Sequence, residues 1–267
     1  PGVTVEKKTG KLKDASGEEV NVTDLPGVYS LSPYTLEEVV TRDFILKENP
    51  DVIVDLVDAT NIERNLYLTT QLIETGIPVV IALNMCDLLK KNGINIDVKA
   101  LSKKLGCPII ETSALKKTGL KEVIAEAIKV AKDHAAGTVS AIFEGSVEDK
   151  LPSSIPNAEK RWYAIKILEN DSKVAEQLGL SADNRFSRYT KELEKEFDDD
   201  AESVITDQRY VYIQKVIEET VKKPAQKMSL SDKIDSIVTN RLLGIPIFVL
   251  VMWAVYYVSV TTVGTFV

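Results

Sequence analysis

Two cysteines and a single histidine in 267 residues remove whole classes of chemistry. Cys86 and Cys107 give no disulfide framework; they suit a reducing compartment and read as small buried residues. His134 has no cysteine or second histidine near it, so it offers no metal centre, and no grouping of histidine, cysteine and carboxylate resembles a site for a transported ion. Basic residues are also in deficit. With 33 Lys and Arg against 40 Asp and Glu, the net charge is −7 and the pI near 5.0, which argues against nucleic acid as a partner. Charge is missing altogether from Leu242 to Val267, a run long enough to cross a bilayer. The remainder is ordinary for a folded protein, 44% hydrophobic and 27% charged, and the length allows more than one domain.

The most informative stretch is Pro78 to Asp87, PVVIALNMCD. An apolar run entered through proline and left through polar residues predicts a strand buried on both faces, as in parallel α/β sheets. Such sheets bind ligands at the carboxyl ends of their strands, where Asn84 and Asp87 stand. A carboxylate there can accept both the ring N–H and the exocyclic amine of guanine, which adenine does not offer. Asp87 is therefore the residue that chooses the base, and Asn84 the one that holds its neighbours.

Earlier in the chain, Val3 to Glu6 and Glu19 to Thr23 alternate apolar and polar, with Gly10 and Ser16-Gly17 between them as turn signals; a β-hairpin is expected. It leads into Asp24-Leu25-Pro26-Gly27, the Asp-x-x-Gly form suited to a phosphate and Mg²⁺ site: the carboxylate holds the hydrated metal, and glycine lets a backbone N–H approach a phosphate. Thr35-Leu36-Glu37-Glu38 has the form of a helix N-cap, opening a helix to about Asn49. Asp51 to Val57 is a strand, Asn61 to Thr75 a helix closed by Gly76, Val98 to Leu105 a helix closed by Gly106, and Cys107 to Thr112 a short strand. That strand ends in Ser113-Ala114, small residues able to present backbone N–H groups to O6 of guanine. Leu120, Val123, Ile124, Ala127, Ile128 and Ala131 then form an amphipathic stripe that should pack on the sheet. Strands alternating with helices imply a mainly parallel sheet covered on both faces, with the three motifs meeting at one edge.

Five segments, Pro1 to Glu6, Asp24 to Ser30, Asp58 to Asn61, Asn84 to Asp87 and Thr112 to Leu115, together resemble the cytoplasmic part of the FeoB family of bacterial ferrous iron transport proteins. The likeness covers essentially the whole chain. It implies a Ras-like P-loop GTPase sheet of the α/β class, a small all-α domain and one transmembrane helix. It implies catalytic roles for Thr4 and Gly27: Thr4 is the switch threonine that ligates Mg²⁺ and senses the γ-phosphate, and Asp24, a second Mg²⁺ ligand, to Gly27 opens the second switch. Guanine nucleotide, GTP or GDP, would be held by Asp24, Gly27, Asn84, Asp87, Ser113 and Ala114. Val28 stands where many small GTPases carry a water-orienting glutamine, and K⁺ is implied as a further cofactor. One family element does not occur here, the Gly-x-x-x-x-Gly-Lys-Ser/Thr loop that cradles phosphates. It is expected upstream of Pro1, with the first strand and helix, so this chain by itself is expected to bind GTP poorly or not at all.

The organisation that follows is a truncated G-domain over 1–136, a linker over 137–156 where Gly and Pro recur, and a helical domain over 157–223. In the helical domain Trp162, Ile165 and Leu168, then Phe186, Tyr189, Leu193 and Phe197, then Tyr210, Ile213 and Ile217 each mark one helix face. An amphipathic connector, 224–241, precedes a first transmembrane helix over 242–267. Lys233 and Arg241 in front of that helix put residues 1–241 in the cytoplasm, and the resemblance implies the bacterial inner membrane. The implied function is GTP binding and hydrolysis for ferrous iron uptake, with Fe²⁺ handled by the transmembrane part and a homo-oligomer left open. A membrane-tethered, non-catalytic regulatory module with a degenerate G-domain is the alternative.

Overall fold

The computed structural model describes residues 8–13, 17–32, 34–91, 93–133, 142–143, 146–149, 151, 161–180, 184–222 and 244–259. They fall into two compact units, Pro1–Lys222 and Lys223–Val267. In the first, strands β1 (Lys8–Lys13) and β2 (Glu19–Asp24) form an antiparallel hairpin with Gly10 opposite Val22. The expected first strand lay earlier: Val3 to Glu6 is outside the described residues, and Gly10 lies inside a strand instead of at a turn. The strand Lys-Thr-Gly-Lys-Leu-Lys is exposed throughout and has Leu12 as its one large apolar residue, so it carries no apolar alternation to announce it.

Helix α1 (Leu36–Glu48) begins where its cap predicts. Thr35 Oγ1 accepts the Glu38 N–H at 3.2 Å, and Glu38 Oε2 accepts the Thr35 N–H at 3.0 Å, satisfying two otherwise orphaned donors. Strand β3 (Ile53–Asp58) leads through a 3₁₀ turn (Ala59–Asn61) into α2 (Ile62–Glu74). Strand β4 (Val79–Asn84), the short helix α3 (Cys86–Lys91), strand β5 (Asn95–Ile96), α4 (Val98–Leu105), strand β6 (Ile109–Glu111) and α5 (Leu120–Asp133) follow. β3, β4 and β6 make a parallel sheet in that order.

As its unbroken apolar run requires, β4 is central, and Val79 to Leu83 are all buried. Its two faces enter different cores. Val79, Ile81 and Leu83 cluster with Leu66 and Ile73 of α2 and with Leu101 and Leu105 of α4, whereas Val80 packs with Ala127 and Val130 of α5. The buried line of α5 is thus Val123, Ala127 and Val130, with Leu120 and Ile124 exposed; the face is turned from the expected stripe toward Val130.

Beyond the sheet come α6 (Ser146–Asp149), α7 (Arg161–Leu168), α8 (Ser172–Gln177), α9 (Asn184–Phe197), α10 (Ala201–Thr220) and strand β7 (Val221–Lys222), which pairs with β5. Within the stretch expected as linker, Ile142, Phe143 and Val147 are buried against Ile165, Leu168, Leu193 and Ile205. Trp162, Ile165 and Leu168 are buried as expected; along α9 Leu193 is buried while Tyr189 and Phe197 are exposed, the side chain of Phe186 lying outside those described, and in α10 Tyr210 is exposed while Ile213 is buried. Ile213 and Val216 join the same core as α2 and α4, so the helices rest directly on the α/β layer.

The second unit is described through α11 (Gly244–Val258), whose apolar side chains from Ile245 to Tyr257 are mostly exposed. Fifteen residues extend about 22 Å at 1.5 Å each, less than the roughly 30 Å of a bilayer core. Among the described residues no helix is long and apolar enough to cross a membrane. The expected connector, 224–241, lies outside the described residues.

Candidate functional site

The carboxyl end of β4 builds the site. Asn84, its last residue, stands in register with Asp58 at the end of β3. Met85 follows with φ of +64°, a left-handed conformation that turns the chain out of the sheet and into α3, placing Asp87 in the first turn of that helix. Next to β4, Thr112 continues β6 by donating its N–H to the Leu83 carbonyl at 2.8 Å. The loop after it closes on itself: Ser113 N–H donates to the Thr118 carbonyl at 3.1 Å, and Thr118 N–H returns to the Ser113 carbonyl at 3.2 Å. Gly119 ends the loop with φ of +79°, and a Cβ there would stand 2.3 Å from the Glu111 carbonyl oxygen, so only glycine fits.

Three contacts tie these segments together. Asn84 Oδ1 accepts the Ala114 N–H at 3.2 Å, which joins the two halves of the site as the sequence suggested. Lys116 Nζ lies 3.0 Å from Asp87 Oδ2, and hydrogen bonding from that ammonium, reinforced by its charge, holds the Asp87 carboxyl below the usual carboxylate range. Ser113 Oγ accepts the Lys116 N–H at 3.4 Å. Both backbone donors assigned to guanine O6 therefore already have partners, Thr118 for Ser113 and Asn84 for Ala114. Cys86, between Asn84 and Asp87, is buried and donates to the Leu83 carbonyl at 3.4 Å. Burial pushes its thiol up to about 11, as for a structural cysteine.

Asp58 has a local task. Its carboxylate accepts the Thr60 N–H at 2.8 Å, the Thr60 hydroxyl at 2.7 Å and the Asn61 amide at 2.9 Å. Burial raises its pKa, and these bonds outweigh that and lower it. It caps the turn into α2.

The Asp24 to Gly27 motif follows a separate sheet. Asp24 and Gly27 are exposed, and among the described residues β2 is paired only with β1, so the three motifs do not follow strands of one bonded sheet as expected. The physical reason is that no described strand lies between β2 and β3 to bond them into one sheet. The loop that follows is held from the other side. Thr41 Oγ1 donates to the Pro26 carbonyl at 3.1 Å, Arg64 lies 3.8 Å over the Tyr29 ring, and Leu31 N–H donates to Gln71 Oε1 at 2.6 Å. Lys166 of α7 reaches Ser32 Oγ at 3.4 Å, and the Tyr34 hydroxyl donates to Glu202 of α10. Thr4 lies outside the described residues. Asp24 offers one exposed carboxylate oxygen donor of the kind Mg²⁺ takes, and among the described residues there is no group of three or more His, Cys, Asp or Glu that could hold a metal. Lys116 and the loop contacts of Gln71, Lys166 and Glu202 are the features that sequence reasoning missed.

Two family patterns match the chain, "Ferrous iron transport protein B" over residues 1–127 and "FeoB cytosolic helical domain" over residues 145–222. The Fe(2+) transport protein A/Fe(2+) transporter FeoB fusion protein of Porphyromonas gingivalis is 38% identical over 96% of this chain, which corresponds to 33% of that protein. The chain thus spans about a third of the length of such curated relatives. The crystal structure of mGMPPNP-bound NFeoB from S. thermophilus has a TM-score of 0.73 and 42% identity, covering 85% of this chain and 88% of that one. NFeoB from S. thermophilus bound to GDP.AlF4⁻ and K⁺ has a TM-score of 0.70 and 43% identity, covering 82% and 88%. A Ras-like α/β layer, a strand end where Asn84 meets the Ser113 to Thr118 loop, and a helical section packed on that layer agree with these matches: the chain belongs to the FeoB family of ferrous iron transport proteins.

Proposed function

We propose that this chain is the base-selecting and switch-bearing part of the GTP-binding and GTP-hydrolysing cytoplasmic portion of a bacterial ferrous iron transporter. The observation that carries this is the meeting of Asn84, Ala114 and Asp87 at the end of β4. The Asp87 carboxylate would accept the N1–H and N2–H of guanine. Oxygen O6 would take the Ala114 N–H, whose 3.2 Å bond to Asn84 is long enough to be exchanged or shared at little cost. The likeness to NFeoB solved with mGMPPNP and with GDP.AlF4⁻ supports the same ligand class.

Phosphates need a cradle, and the open side of the sheet supports its location. Val54 and Leu56 of β3 are 41% and 73% exposed although they lie on an apolar strand, and β2 is unbonded to β3. A further strand between them, carrying the Gly-rich loop and followed by a helix on the face of Val54 and Leu56, would cover both residues and join β2 to the sheet, bringing Asp24 to the nucleotide. Asp24 with Thr4 would then hold Mg²⁺, which supplies positive charge to the phosphate oxygens; K⁺ rests on the S. thermophilus likeness alone. A G-domain over 1–136 is supported by the first family match, over 1–127; the helical domain, expected over 157–223, is better begun near Ile142, because the second match starts at 145 and Ile142, Phe143 and Val147 lie in its core; a membrane span over 242–267 is supported by the exposed apolar surface of α11.

In this reading Leu31 to Tyr34 form the moving part. The loop leaves Asp24-x-x-Gly27 and is bound by Gln71, Lys166 and Glu202, so a change at the γ-phosphate would be felt by α7 and α10. Fluorescent GTP-analogue binding, with and without Mg²⁺, on this chain and on the natural protein that carries it tests the proposal. Binding by the natural protein and not by this chain is expected. Binding by neither would leave a partner-binding module as the better reading.

A further inference from the structure

Asp87 is already engaged at the atoms guanine would need. Reading guanine through N1–H and N2–H takes both carboxylate oxygens, and Lys116 Nζ lies 3.0 Å from Oδ2. The backbone that delivers this lysine is fixed at both ends, by the reciprocal Ser113–Thr118 bonds and by Ala114 on Asn84. The lysine side chain itself is 57% exposed, against 26% for Asp87, so it is free to turn into solvent without the loop opening.

We propose that Lys116 is an internal competitor for the guanine edge: its ammonium occupies the Asp87 carboxylate in the nucleotide-free protein and is displaced by the incoming base. This rests on the guanine-nucleotide reading above and adds to it a residue that sets capture. Side-chain rotation at an exposed site takes picoseconds to nanoseconds, far faster than nucleotide capture. The competitor therefore scales the association rate by the fraction of time Asp87 is free, and leaves dissociation unchanged because Lys116 is already displaced in the bound state. An exposed ion pair implies a factor of about two to five. The sign is discriminating. Removing a positive charge near an anionic ligand slows capture on general electrostatic grounds, so acceleration has to come from the freed carboxylate.

The test is stopped-flow binding of fluorescent GDP to the natural protein carrying this chain, as wild type, Lys116→Met and Lys116→Arg. Lys116→Met is expected to raise the association rate constant about two- to fivefold with dissociation unchanged. Lys116→Arg, whose planar fork holds a carboxylate more firmly, is expected to lower it. The Met to wild-type ratio should shrink toward one as choline chloride is raised at fixed K⁺, because screening weakens the competing pair. Slower or unaltered association in Lys116→Met, or a change confined to dissociation, overturns the proposal while leaving guanine binding intact. Failure of the wild-type protein to bind GDP overturns both.

Discussion

At the scale of single residues, the molecule holds carboxylates in opposite conditions. Asp87 is drawn below its ordinary range by Lys116, whereas Asp55, on the strand that neighbours β4, is fully buried and pushed to about 6 by that burial, against the opposing hydrogen bond from Thr69 Oγ1 at 2.6 Å. Between its ordinary value of 3.8 and about 6 the folded chain binds a proton at Asp55 that the unfolded chain does not. Stability contributed here is therefore highest below that window and falls as pH rises through it. Asp55→Asn keeps an acceptor for Thr69 and removes the buried charge, so it should stabilise the fold by about 1–3 kcal/mol at pH 7.5 and by little at pH 4. Urea unfolding at the two pH values measures this; a variant less stable than wild type at pH 7.5 would contradict it. The residues proposed to read the base stood out in the sequence because Asn-x-x-Asp and Ser-Ala each follow a strand, and Asn84 does meet Ala114. Lys116 did not stand out. Nothing in a loop lysine announces which carboxylate it will face, and Asp87 is set by a different strand end.

Among elements, those with an unbroken period were legible. β4 has a continuous apolar run, α2 and α4 have closing glycines and apolar faces, and all three form where expected. Elements whose burial is decided by neighbours were not. Ile142 and Phe143 are two apolar residues in a polar stretch with no period, yet both are buried; the aromatic line of α9 has a perfect period, yet Tyr189 and Phe197 face outward. The contacts between α2, α7 and α10 were equally hidden, because they are ionic and buried. Arg209 of α10 donates to Glu74 of α2 at 2.6 Å with both side chains essentially inaccessible, and Glu169, paired with Lys166, lies 3.7 Å from Arg209. Burial raises the Glu74 pKa against the pull of Arg209. Removing one partner leaves an uncompensated interior charge, so Arg209→Met should cost about 3–5 kcal/mol, and adding Glu74→Gln should restore a large part of it. Additive losses in the double variant, measured by denaturant unfolding, would show that the two side chains do not act as a pair.

For the whole molecule, the arrangement places the proposed base-selecting residues at one strand end and the loop after Gly27 against the helices. Leu31 bonds α2 through Gln71, Ser32 bonds α7 through Lys166, and Tyr34 bonds α10 through Glu202. Because Ile213 and Val216 of α10 share a core with α2 and α4, displacement of that loop acts on a packed layer and not on a loose appendage. The account stands or falls on guanine being the base that Asp87 reads. The most direct measurement is competition of GTP and xanthosine triphosphate for the natural protein carrying Asp87→Asn. An amide presents a donor where the carboxylate accepted the guanine amine, and xanthine offers an oxygen there instead. The predicted result is loss of GTP binding by at least about tenfold, the scale of a bidentate contact left unpaired, with gain of xanthosine triphosphate binding. An unchanged preference for GTP would contradict it.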